Sequence, residues 1–287
     1  MINIIHLQLL ITALLVAISC TLPGTFLVLR GTSLMSDAIG HAILLGIVLS
    51  FLITNNMHSP LVFIGATFIG VMTAAITELL ISTKRLKHDA AVGLVFPLFF
   101  SIAIILINLY ASSVHIDTDA ALLGELAFTP FNTLRINGVD LGPQAIWTMS
   151  VILLINIFCI FLWYPTLKIT TFNPDYAYTI GYRPHAVHYG LMTLTSITVV
   201  GAFDTAGAIL VVAFMIIPPA TAYLISQRLS HMLILASLIS LLTTIAGCLC
   251  AHWLGVSIAG AIATTNGLFF ASILTYKTVS QLFTQRA

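Results

Sequence analysis

The sequence predicts an all-α polytopic membrane protein of about nine transmembrane helices, eight to nine by hydropathy, plus one short helix outside the bilayer. Three observations carry that fold class. Hydrophobic residues make up 59% of the 287 residues and charged residues only 7%, whereas an ordinary soluble domain carries about 25% charged residues. Mean hydropathy is +1.10. Apolar stretches of about 20 residues, the length needed to cross a bilayer core of about 30 Å, recur from end to end with short polar breaks. A transmembrane barrel would instead show weaker, period-two alternation. Residues 1–287 are therefore expected to form a single transmembrane domain.

The net charge of +1 points to no nucleic-acid partner, and the surroundings are membrane lipid. Cys20, Cys159, Cys248 and Cys250 all lie in apolar runs, where they read as small hydrophobes. The first apolar segment lacks a basic leading region and a small-residue cleavage site, so it is expected to be a retained helix.

Taken in order, the predicted spans are about 7–29, 34–53, 60–82, 91–111, 144–167, 187–203, 207–226, 232–254 and 257–276. Lysine and arginine favour the cytoplasmic loops. An outside N-terminus places Arg30, Lys84, Arg85, Lys87, Lys168, Arg183, Arg228, Lys277 and Arg286 inside, leaving Arg135 outside. Two stretches allow another reading: the adjacent pair around Asp204, where a re-entrant segment would reduce the count to eight, and the long polar interval 112–142. That interval carries Asp117, Asp119, Glu125 and Asp140 against one arginine, an acidic candidate mouth that would concentrate cations. The other reading is a solvated loop.

Between the fifth and sixth spans, Asn173 reads as an N-cap, Pro174 as the first helical residue and Gly181 as the stop before Pro184. The result is a helix of about two turns on the cytoplasmic side, carrying Asp175, Tyr176 and Tyr178. It is either a contact element or a simple connector. Pro218 and Pro219 predict a bent helix in the protein interior.

The chemistry concentrates in the second span. Asp37 and His41 lie four residues apart, on one helical face. A charge at the bilayer centre costs about 3 kcal/mol on insertion scales, which makes such residues functional candidates. Counted from Arg30, a helix carries the pair about 10 to 16 Å inward. Ser36, Ala38, Gly40, Ala42 and Gly46 around them permit close helix approach and leave room for an ion. A carboxylate with an imidazole suits manganese, iron or zinc better than magnesium, calcium or copper(I). One pair is half a site, and a second copy would supply four ligands. A buried Asp–His hydrogen bond that binds nothing is the alternative.

Other polar groups have blander readings. Glu78 is expected to pair with Lys84 or Arg85, Cys248 and His252 to pack near the outer interface beside Trp253, and His185 and His188 to face solvent or headgroups. No phosphate-binding loop of the G-x-x-x-x-G-K-[ST] type and no nucleophile–base constellation occurs, so this chain is not expected to be an enzyme.

Three stretches resemble the membrane permeases of bacterial ABC importers for manganese, zinc and iron. They are Phe26 to Gly46, the short helix with Asp175, Ala177 and Gly181, and Gly207 to Ala222, which includes Pro218 and Pro219. The resemblance implies a permease dimer, identical or mixed, in the cytoplasmic membrane, seated on two ATP-binding subunits and fed by an extracytoplasmic metal-binding protein. It implies that Asp37 and His41 are the intramembrane metal or gating residues. It also implies that Asn173, Pro174, Asp175, Ala177 and Gly181 belong to the ATPase-coupling helix. The metal is cargo, and no resident cofactor is expected. The competing reading is an ion-gradient-driven carrier or channel with Asp37 and His41 as a relay.

Overall fold

The computed structural model describes residues 2–56, 59–110, 126–136 and 139–284. The helices are α1 (Ile2–Leu29), α2 (Leu34–Thr54), α3 (Pro60–Ser82), α4 (His88–Tyr110), α5 (Gln144–Phe172), α6 (Pro174–Thr179), α7 (Pro184–Ala206), α8 (Ala208–Ile225), α9 (Leu229–Leu254) and α10 (Ile258–Thr284). All but α6 are long and apolar enough to cross a membrane, which gives nine spans among the described residues. Several run past the predicted ends. Hydropathy reports only the lipid-facing part of a helix, while its backbone hydrogen bonding continues into the polar boundary.

The pair around Asp204 consists of two helices broken at Gly207, whose φ of 76° is left-handed and suits glycine. In the long interval, a 3₁₀ turn (Leu126–Phe131) precedes an antiparallel hairpin, β1 (Thr133–Ile136) with β2 (Val139–Pro143), in which Arg135 and Asp140 are partners in register. Hydropathy gave no sign of this hairpin. The candidate mouth residues Asp117, Asp119 and Glu125 lie outside the described residues.

α1 is the central post, packed against α5, α7, α8 and α9. α2 lies among α3, α4, α7 and α8, and α10 covers α8 and α9. The main core draws Ala13, Val16, Ala17 and Cys20 from α1, Met35, Ile39 and Ile43 from α2, and Phe214 and Met215 from α8. α5 instead turns Phe158, Phe161 and Leu162 outward, the surface lipid would cover. Small residues set the closest approach, as predicted around Gly46, where an added Cβ would strike the backbone of Gly65 and Ala66 on α3.

Three prolines shape the centre. A proline inside a helix leaves the carbonyl four residues earlier without its usual donor, which for Pro23 is Ser19 and for Pro218 and Pro219 is Phe214 and Met215. Lipid cannot satisfy these groups, so neighbouring helices must. Asn156 of α5 is fully buried and donates Nδ2 to Ser19 O at 2.9 Å and to Thr198 Oγ1 of α7 at 2.9 Å. Thr21 of α1 lies 2.6 Å from Ala17 O and 3.3 Å from Phe214 O, sharing its single proton between two carbonyls. Gly24 brings the α1 backbone against Met215 so closely that an added Cβ would collide with the Met215 carbonyl. The double proline is in the protein interior, as expected, with Pro218 and Pro219 both buried.

Candidate metal pair and coupling helix

The turn between α1 and α2 places the metal pair. α1 stops at Leu29, Gly31 adopts φ 68°, and α2 begins at Leu34. Asp37 and His41 therefore lie about 4.5 and 10.5 Å along the helix from its first residue, shallower in α2 than a count from Arg30 implies. Asp37 falls in the first turn. There the helix dipole favours a carboxylate anion.

His41 Nε2 and Asp37 Oδ1 are 3.5 Å apart. Two ligand atoms each about 2.1 Å from a tetrahedral ion would be about 3.4 Å apart, so one cation fits between them with little movement. Phe96 of α4 stacks on the His41 ring at a centroid distance of 5.7 Å, and Phe100 meets it edge-on at 5.8 Å. These rings fix the imidazole plane. They are themselves one helical turn apart, a spacing visible in the sequence but without a cue linking α4 to α2.

The pair is not sealed within the chain. Ser36, Ala38, Ile39, Gly40 and Ala42 are buried, whereas the side chains of Asp37 and His41 remain 43% and 31% exposed, in line with exposed Leu34. Among the described residues, no group of three or more His, Cys, Asp or Glu side chains is placed to hold a metal ion. Asp37 and His41 alone, open to the outside of the chain, would make an incomplete metal site.

The second candidate element is α6 (Pro174–Thr179). The side chain of Asn173 accepts from Tyr176 N at 3.0 Å, Pro174 is the first helical residue and Gly181 has φ 90°, all as the sequence predicts. Phe172, Tyr176, Tyr178 and Ile180 are exposed and Asp175 is exposed beside them. Ala177 is different: it is fully buried within its own chain, where it seats α6.

A polar cluster joins helix ends near α6. Arg30 donates Nε to Thr171 and Nη2 to Thr170, each at 3.2 Å, and its Nη1 is 3.5 Å from His188 Nδ1. Burial lowers the Arg30 guanidinium to about 10, still charged at neutral pH. His188 is not solvated as expected but lies inside this cluster, and the partner of Glu78 is His188 Nε2 at 3.6 Å. Both groups pair across helices, which local sequence spacing does not reveal. His252 meets His6 edge-on at 5.1 Å beside the exposed Trp253, consistent with packing at an interface.

Among the described residues, nine helices long and apolar enough to cross a membrane, one of them the central α1, with an ionisable pair open on another, define a polytopic membrane protein with a candidate functional site inside its spans. The ABC 3 transport family matches residues 3–277. The manganese transport system membrane protein MntD of Bacillus subtilis is 43% identical over 275 residues, covering 96% of this chain and 93% of that protein. The zinc transport system membrane protein TroD of Treponema pallidum is 43% identical over 267 residues, covering 93% of this chain and 72% of that protein. A solved structure of PsaBC from Streptococcus pneumoniae in complex with Fab matches with a TM-score of 0.75 at 30% identity, covering 93% of this chain and 89% of the other. The chain belongs to the ABC 3 transport family and is a multi-pass ABC permease of the bacterial inner membrane.

Proposed function

We propose that this chain is the permease subunit of an ATP-driven importer for a divalent transition-metal ion, manganese, zinc or ferrous iron. The observation that carries the reading is the Asp37/His41 pair, 3.5 Å apart and open at the chain surface. An aspartate and a histidine facing lipid would be costly, whereas a second permease chain covering them completes a four-ligand site. The relatives named for manganese and zinc support the class of cargo. The ligand types alone do not choose between these ions.

The ion arrives from an extracytoplasmic binding protein, is held between the paired aspartates and histidines, and is released inward when the two halves rock. Release requires that the inward-facing state bind the ion more weakly, which separating the paired ligands achieves. ATP hydrolysis occurs in separate cytoplasmic subunits that receive α6 through Phe172, Tyr176, Tyr178 and Asp175. Asn173 and Gly181 fix the ends of that helix, and Ala177 seats it.

The test is uptake of radioactive manganese and zinc by the complex in vesicles. ATP-dependent uptake that Asp37→Ala or His41→Ala abolishes, with the complex still assembled, is the expected result. Normal uptake by both variants would overturn the metal-pair assignment. Uptake driven by an ion gradient without ATP would favour the carrier reading.

A further inference from the structure

Arg30 sits at a junction of four helix ends. Its fork holds Thr170 and Thr171 at the end of α5, while its third nitrogen faces His188 Nδ1 on α7. A guanidinium has no acceptor atom, so Nδ1 takes the acceptor role and the neutral His188 ring keeps its proton on Nε2. That nitrogen faces Glu78 Oε2 of α3 at 3.6 Å. A proton on Nε2 and an adjacent arginine both oppose a cation at this position. Among the described residues, no group of three or more His, Cys, Asp or Glu side chains is placed in this cluster to hold a metal ion.

Its location gives it a role. Thr171 lies two residues before the α6 cap at Asn173, and His188 lies nine residues after Thr179, the last residue of α6. Arg30 thus grips the chain on both sides of α6. On its other side, Arg30 leads into α2 through a turn of three residues that is tied throughout: Thr32 N donates to Leu27 O at 2.9 Å, Met35 N to Thr32 O at 3.0 Å, and Ser36 Oγ to Ser33 O at 2.8 Å. Asp37 is the next residue.

We propose that Arg30 is the joint that transmits displacement of α6 to the Asp37/His41 pair, with His188 and Glu78 holding its position. The proposal rests on the importer reading above. When α6 moves with an ATPase subunit, the ends of α5 and α7 move with it, and Arg30 carries that motion into the first turn of α2. Arg30 is a positioning residue and touches no metal.

The test compares ions carried with ATP hydrolysed in the complete complex in liposomes, with metal-loaded binding protein and radioactive manganese. Arg30→Gln is expected to lower the ions carried per ATP by about 5-fold or more, the range of a typical coupling between sites. ATP hydrolysis and metal binding by the unenergised complex should persist. Arg30→Lys keeps the charge but loses the fork, and should give an intermediate ratio. The double variant Thr170→Val with Thr171→Val should also lower the ratio while leaving Arg30 in place, and it decides the matter if Arg30→Gln does not assemble. An unchanged ratio in every assembled variant, or uptake and hydrolysis falling in proportion, would overturn the joint while leaving the importer intact. A wild-type complex with no ATP-dependent uptake would overturn both.

Discussion

The surroundings of His41 hold its side chain in an orientation that would suit an ion shared with Asp37. Its ring plane is set by Phe96 and Phe100, its nitrogen is turned toward Asp37, and the carboxylate sits where the start of α2 favours an anion. Asp37→Asn preserves the shape but removes the charge and one good ligand oxygen. Losing a ligand should cost at least as much as losing a supporting contact, so metal affinity of the complex should fall by about 10- to 100-fold or more, read by equilibrium binding of manganese. Phe96→Ala leaves both ligands in place and frees the ring. It should weaken binding by about 10-fold while leaving assembly intact. The candidate pair was legible in the sequence because an acid and a histidine are conspicuous among apolar residues. Their supports were not, because Phe96 and Phe100 look like any other lipid-facing or packing residues until α4 is laid against α2.

At the scale of elements, proline positions and their rescuers form the centre of the bundle. The carbonyl that Pro23 frees can be named from the sequence by counting back four residues, but the donor that satisfies it, Asn156, is 137 positions away from Ser19. Asn156→Leu strands that carbonyl and removes the link to Thr198. A loss of about 1 kcal/mol is expected, visible as a lower thermal midpoint of the purified complex. Gly24→Ala should be more damaging, since its Cβ has only the Met215 backbone to displace. For α6, Asn173→Ala removes the side-chain acceptor from Tyr176 N and should cost about 1 kcal/mol of helix stability. Reduced recovery of ATPase subunits with the purified permease is the measurement. This short helix was the most legible element in the chain, because cap, proline and glycine signals are local.

Across the whole molecule, the arrangement separates two tasks. The candidate metal pair is on α2, the candidate contact helix lies between α5 and α7, and the sequence shows no phosphate-binding loop of the G-x-x-x-x-G-K-[ST] type. Under the proposed importer reading, energy would reach the pair from a separate subunit, and the helix-end contacts of Arg30 would be a physical means of passing it on. On the same reading, the partly exposed pair would be completed by a second subunit. Removal of α6 contacts should abolish ATP-driven transport without changing the metal affinity of the pair. The combination Tyr176→Ala with Tyr178→Ala tests this, since both side chains are exposed and their loss leaves no cavity in the fold.

The sequence alone determined the membrane setting, about nine candidate crossings among the described residues, the approximate helix bounds, the capped short helix and the closeness of Asp37 and His41. Each rests on composition or on spacing within about 20 residues, the range over which lipid solvation and helix geometry act. Only the tertiary structure decided that Ala177 anchors α6, that Glu78 and His188 face each other, that Asn156 serves the carbonyl freed by Pro23, and that Arg30 bridges the ends of α5 and α7. Those are contacts between residues far apart in the chain. They exist because buried polar groups must find partners wherever the packing of whole helices places one within reach.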